Sequence, residues 1–133
     1  MFDFYKRLME NPEELHVLGN GLQKKSYLYI QDCIDAMLLA VEKAQGKVNI
    51  LNLGTDECLV VNESVSYISE YMGVKPKISY AGGERGWIGD SPFILLDCSK
   101  MRSLGWTPKV GIKDAVIKTL DWISSERWVI DKR

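Results

Sequence analysis

One histidine (His16), three cysteines and four prolines are spread through this 133-residue chain. A single imidazole all but excludes chemistry that needs several, such as a zinc site or a Ser-His-Asp triad. Cys33, Cys58 and Cys98 are an odd number with no C-x-x-C spacing. They read as reduced thiols of a cytoplasmic protein rather than a disulfide frame or a metal site. Neither charge is in excess: seventeen Lys and Arg against eighteen Asp and Glu leave −1. That balance argues against a protein held to nucleic acid by a basic face. No apolar run approaches the ~20 residues of a membrane span. The opening ten residues form a charged amphipathic stretch, unlike a signal peptide. What remains, 46% hydrophobic and 26% charged residues, is ordinary globular composition for one domain over 1–133.

Periodicity gives the elements. Phe4, Tyr5, Leu8 and Met9 predict a short amphipathic helix over 2–9, stopped at Asn11-Pro12. His16-Val17-Leu18 reads as a strand broken by Gly19-Asn20-Gly21, where the glycines tolerate positive φ. Residues 27–30, aromatic and β-branched, predict a second short strand. Asp32 then reads as the N-cap of a helix, with Asp35 in its first turn at the dipole's positive end. That helix is apolar nearly all round through Val41, so it is expected between two layers. Residues 48–53, four of six apolar, predict a strand covered on both faces, the habit of parallel sheets.

Asn62 caps the next predicted helix, with Val65, Ile68 and Met72 on one face and Gly73 closing it. Residues 75–80 read as an edge strand, because Pro76 cannot donate to a ladder. A glycine-rich loop over 81–92 carries Arg85, Trp87 and Asp90. Asp97 or Ser99 caps a short helix ending at Leu104-Gly105, and Ile112, Val116, Leu120 and Ile123 stripe the last one. The fold class is α/β, with short strands and about five helices. The 48–53 strand and the wrapped helix need a parallel sheet that the rest of the chain cannot supply, so it reads as part of something larger.

The run Gly19-Asn20-Gly21-Leu22-Gln23-Lys24-Lys25-Ser26-Tyr27-Leu28-Tyr29-Ile30-Gln31-Asp32 resembles a segment of the extended short-chain dehydrogenase/reductases. In their sugar-nucleotide epimerases and dehydratases the segment reads roughly G-[DN]-G-x-Q-x-[RK]-x-[YF]-x-[YF]-[VI]-x-D. Asn52-Leu53-Gly54 is similar to the N-[IL]-G that ends the family's last sheet strand. Arg85 with Gly89-Asp90 resembles its R…GD loop, and Asp97 to Pro108 its D-x-S-K…LGW-x-P. The matches come in family order across nearly the whole chain.

The resemblance implies the C-terminal, substrate-binding portion of a Rossmann-type NAD-dependent enzyme akin to UDP-glucose 4-epimerase. NAD(P) and the catalytic Tyr-x-x-x-Lys belong to an N-terminal half that these residues do not match, so no bound cofactor and no catalytic residue are expected here. No glycine fingerprint opens a helix in this chain. Tyr71-Met72-Gly73-Val74-Lys75 satisfies Y-x-x-x-K literally, but Gly73 should end the helix between the two side chains.

Candidate ligand residues follow. Lys25 stands where the resembling enzymes usually have an arginine on the diphosphate, and lysine offers a point charge instead of a fork. Lys24 is an alternative donor, and both also read as exposed lysines at a strand start. Arg85, in a loop where backbone can approach a ligand, is the leading candidate, its alternative being an ion pair with Glu84 or Asp90. The resemblance gives Asp90 to the ribose hydroxyls or to loop orientation. Tyr27 and Gln23 are further candidates, Tyr27 reading equally as core packing with a polar tip. His16 and Leu18 fall at the family's nucleobase pocket, though a lone histidine on a short strand is more often structural. Trp106 is expected as a core anchor and Trp87 beside the ligand.

The functional expectation is a UDP- or dTDP-sugar-binding portion without turnover of its own. The alternatives are a non-enzymatic self-associating module or remnant, and a subunit completed by a separate NAD-binding chain. A homodimer through an exposed sheet edge or the apolar helix is expected, with no nucleic-acid or membrane partner.

Overall fold

Leu15 and Val17 turn inward from β1 (Glu14–Val17) while Glu14 and His16 face out, the period-2 alternation of a half-buried strand. The computed structural model describes residues 1–132 and pairs β1 in parallel with a second short strand, Lys77–Tyr80, with His16 opposite Ser79. Three other elements cover the inner side of β1. These are α1 (Phe2–Glu10) through Tyr5 and Leu8, and two longer helices, Val61–Met72 and Ile112–Ser125. The longer pair contribute Val65 and Ile68, then the predicted stripe of Ile112, Val116, Leu120 and Ile123, all buried.

In chain order the elements after β1 are β2 (Lys24–Lys25), α2 (Ile30–Lys43), β3 (Leu59–Val60), α3 (Val61–Met72) and β4 (Lys77–Tyr80). They are followed by α4 (Ser99–Ser103), α5 (Ile112–Ser125) and α6 (Trp128–Asp131), so the described residues hold six helices where about five were expected. β2 pairs antiparallel with β3. A second, smaller core joins Ala36 of α2, Met101 of α4 and Trp106, the expected anchor. Gly73 ends α3 at φ 68°, the left-handed C-cap that the sequence indicated.

Several expectations are corrected. Residues 27–30 form no strand: 26–29 have no ladder partner, and Ile30 opens α2. Asp32 is not an N-cap. Tyr29 holds that position, and the buried Asp32 carboxylate turns away from its own helix to accept the backbone N–H groups of Lys109 and Val110 at 3.1 and 3.0 Å. Asn62 is not a cap either. Glu63 Oε2 accepts the Val60 N–H at 2.9 Å, and Asn62 Oδ1 accepts the Tyr80 hydroxyl at 3.0 Å.

The α2 helix is not wrapped. Ile34, Met37, Leu38 and Val41 are exposed, Val41 by 86%, and only Asp32 and Ala36 are buried. Residues 48–53 form no strand: Val48 and Ile50 are exposed, and the flanking polar groups bond through Asn49 to Gly46 and Asn52 to Asp97. A strand exists only where a neighbour completes its ladder, and apart from an isolated parallel bridge between Lys24 and Phe93 the one parallel strand pair in the described residues is β1 with β4.

Candidate functional site

The loop over 81–92 leaves the C-terminal end of β4 and is tied down at both ends. Ala81 N–H donates to Val17 O and Gly82 N–H to Gly19 O, each at 3.0 Å, while Pro92 O accepts the Lys24 N–H at 2.8 Å. Between these anchors the polar side chains of β2 and the preceding turn meet the loop. Gln23 is buried, and its Nε2 donates to Leu18 O at 3.1 Å. Glycine suits the turn: Gly19 stands at φ 77°, in the left-handed region, and a Cβ there would sit 1.9 Å from that nitrogen. One on Gly86 would sit 3.6 Å from Leu18 Cβ and 3.7 Å from the same Gln23 nitrogen, so the amide plugs the gap between turn and loop.

Lys25 is committed to the loop. Its ammonium pairs with Asp90 Oδ1 and donates to Ser91 O at 2.6 Å. The other Asp90 oxygen accepts the Gly86 N–H at 3.0 Å. The Lys25 hydrogen bond, set against burial and helped by the Gly86 amide, holds the Asp90 carboxyl below its ordinary range. The stabilisation from this shift is present above the usual carboxylate pKa and lost as pH falls through the lowered value. Tyr27 lies close enough to feel Asp90: burial first, and that negative charge second, push its phenol up.

Arg85 keeps its cation exposed. It donates to Ile88 O at 3.4 Å, and neither Glu84 nor Asp90 forms a salt bridge with it among the described residues. Glu84 instead lines an open cleft of about 280 Å³ with Asn20, Leu22, Gln23 and Pro92. Trp87 is exposed, its ring lying over Gly89, where a Cβ would come within 2.3 Å of it.

The structure thus gathers Leu18, Gln23, Lys25, Tyr27 and Asp90 around the loop that carries Arg85. His16 makes its contacts elsewhere, with Nδ1 3.0 Å from Ser79 Oγ in a cleft shared with Arg7, Glu10 and Glu14. Sequence reasoning missed Gly86 N–H and Ser91 O, because backbone groups carry no residue-type signal. It also missed Glu84 as a wall of the cleft. The Y-x-x-x-K decoy dissolves: Gly73 reverses the chain between Tyr71 and Lys75, and the Tyr71 hydroxyl donates to Asp121 Oδ1 at 2.9 Å. Among the described residues no three His, Cys, Asp or Glu side chains gather to hold a metal. No described helix is long and apolar enough to cross a membrane.

Residues 1–54 match the family described as "NAD dependent epimerase/dehydratase family". A solved UDP-galactose 4-epimerase is 31% identical and superposes with a TM-score of 0.79 over 93% of this chain and 39% of its own. The chain is thus similar to part of the proteins of this epimerase/dehydratase family. The Thermotoga maritima UDP-glucose 4-epimerase, solved with UDP-glucose, is 30% identical with a TM-score of 0.78, over 92% of this chain and 38% of its own. GDP-L-fucose synthase 1 of Arabidopsis thaliana is 29% identical over 123 residues, 90% of this chain and 36% of that protein. The chain therefore spans little more than a third of the length of these relatives, and its α/β fold is that of part of the Rossmann-type epimerases.

Proposed function

We propose that this chain is the nucleotide-sugar-binding portion of an epimerase/dehydratase, taking UDP- or dTDP-linked sugars and having no turnover by itself. The observation that carries the reading is Arg85, an exposed guanidinium without a salt bridge among the described residues, on a loop whose Asp90 is already paired with Lys25. A free fork of N–H donors beside a cleft suits a diphosphate. Leu18, Gln23, Tyr27 and Asp90 line the approach to that loop, with Lys25 behind it, and His16 belongs to the ligand only if the bound nucleotide reaches around β1. The Thermotoga maritima relative solved with UDP-glucose supports this ligand class.

The family's NAD finds no matching cradle here. Among the described residues, the glycine turn after β1 leads to β2, and the one after β4 leads to a long loop, not to a helix N-terminus that could face a pyrophosphate. The hydride chemistry that NAD supplies belongs, on this reading, to a cofactor-binding lobe outside these residues or on a separate chain.

Calorimetric titration with UDP, UDP-glucose and dTDP tests the reading. Binding is expected, and Arg85→Ala should weaken it about tenfold to a hundredfold, the loss of a charge-assisted contact. Absence of binding by the unaltered chain sinks it.

A second reading, self-association, is favoured by the exposed apolar residues of α2 together with Val48, Ile50, Ile94, Leu95 and Leu96. Apolar surface of this extent marks an interaction face. Light scattering should give the mass of a homodimer, and Leu38→Lys with Val41→Lys should return it to a monomer. A monodisperse monomer of the unaltered chain removes this reading.

A further inference from the structure

We propose that Lys25 is a positioning residue: clasped to Asp90, it fixes the loop that presents Arg85 and does not itself bind the anionic ligand. The inference rests on the nucleotide-sugar reading for its ligand but not for the clasp. Every polar atom concerned is accounted for by geometry. The Lys25 ammonium is bound to Asp90 Oδ1 and to Ser91 O. Asp90 spends its other oxygen on the Gly86 N–H, one residue beyond Arg85. Lys24, the neighbour of Lys25, holds Pro92 O with its backbone N–H. Two strand residues therefore grip the loop on its far side, and through Asp90 they determine where the Arg85 backbone lies.

Burial makes this arrangement costly to exchange. The Lys25 side chain is 24% exposed and that of Asp90 13%. A ligand phosphate that took the ammonium would leave the carboxylate largely buried without its cation, beside the incoming negative charge. Arg85, by contrast, forms no salt bridge among the described residues, though its charge reaches Asp90. Lysine suits the clasp because its three donors radiate from one point, which serves a carboxylate and a carbonyl at once.

The two roles give opposite signs for one variant. If Lys25 bound the ligand, Asp90→Asn would free the ammonium, remove a nearby negative charge and tighten UDP binding. With the clasp, Asp90→Asn loosens the loop and weakens UDP binding, although a repulsive charge has been removed.

Arg85 is itself a trypsin site, so limited trypsin digestion, followed by mass spectrometry of the cut after Arg85, reads the loop without any ligand. Asp90→Asn and Lys25→Met should each speed that cut about tenfold, the factor set by one charge-assisted bond. The double variant should be no faster than either single, because both break one interaction. Lys25→Arg should stay within about threefold of the original rate, since a guanidinium can rebuild the pair. UDP affinity by calorimetry should fall in both single variants. Far-UV circular dichroism must show each variant folded, and Lys25→Arg provides the comparison if Lys25→Met is not. Unchanged cleavage, or tighter UDP binding by Asp90→Asn, overturns the clasp. Failure of UDP to bind the unaltered chain ends the nucleotide-sugar reading, while the cleavage rates still decide the clasp.

Discussion

Trp106→Ala should cost about 3–5 kcal/mol of folding stability, the range for removing a large aromatic from a core. Trp106 is 4% exposed and packs with Ala36 and Met101, ringed by partly buried Leu28, Leu39, Ala40, Leu51, Leu53 and Leu104. This smaller core has no second aromatic, so its surroundings can do little to refill the space. The packing also joins three parts of the chain, α2, α4 and the 51–53 segment, that share few backbone hydrogen bonds with the main core. Amide exchange should therefore quicken through α2 more than through α5, whose stripe of Val116, Leu120 and Ile123 packs in the other cluster. Urea unfolding followed by far-UV circular dichroism gives the total loss. Trp106→Phe should retain more than half of the stability that the alanine variant loses. A loss below about 1 kcal/mol for Trp106→Ala would mean that the second core contributes little and that α2 is held by other contacts.

What the sequence made legible here was whatever depends on a residue's own neighbours along the chain. The α5 stripe at Ile112, Val116, Leu120 and Ile123 needs only a 3.6 period, and Gly73 ends α3 through its own φ. Pro76 announced an edge strand for the same reason, and Lys77–Tyr80 is one, paired on one side only. The errors concern partners. Residues 48–53 have the composition of a buried parallel strand, yet no described strand lies beside them to complete a ladder. The α2 helix has the composition of an inner layer, and its outer face is open. In both cases the side chains fit surroundings that these residues do not provide, which is consistent with a chain spanning little more than a third of its relatives.

The candidate site divides the same way. Arg85, Asp90 and Lys25 stood out by charge and by their place near glycines, and the fold brings Lys25 and Asp90 together across 65 positions. Nothing in the sequence said that the lysine and the aspartate would satisfy each other and leave the arginine uncommitted. Pairing is a tertiary property, and two cations near one carboxylate give two solutions until the loop geometry selects one.

Asp32 shows how far such a tertiary contact outweighs a local rule. An aspartate ahead of an apolar run is an ordinary N-cap signal, yet the residue lies within the first turn of α2 and is 3% exposed. Its Oδ2 is the acceptor for both Lys109 N–H at 3.1 Å and Val110 N–H at 3.0 Å, where the chain passes from Trp106 towards α5. These donors lie outside any helix or strand, and among the described residues no backbone carbonyl accepts from them. Asp32→Ala should thus strand two amides and cost about 2–4 kcal/mol, since each unsatisfied donor carries a penalty of ~1–3 kcal/mol. Asp32→Asn keeps one acceptor oxygen for the same pair and should lose less than half as much. Asp35 provides the contrast: its half-buried carboxylate meets Lys109 Nζ at 3.1 Å, but that lysine side chain is 73% exposed, so Asp35→Ala should give a far smaller loss. Urea midpoints measured side by side decide the matter. Equal losses for Asp32→Ala and Asp35→Ala would assign the tie to surface charge, and the buried carboxylate would no longer explain how α2 is joined to the start of α5.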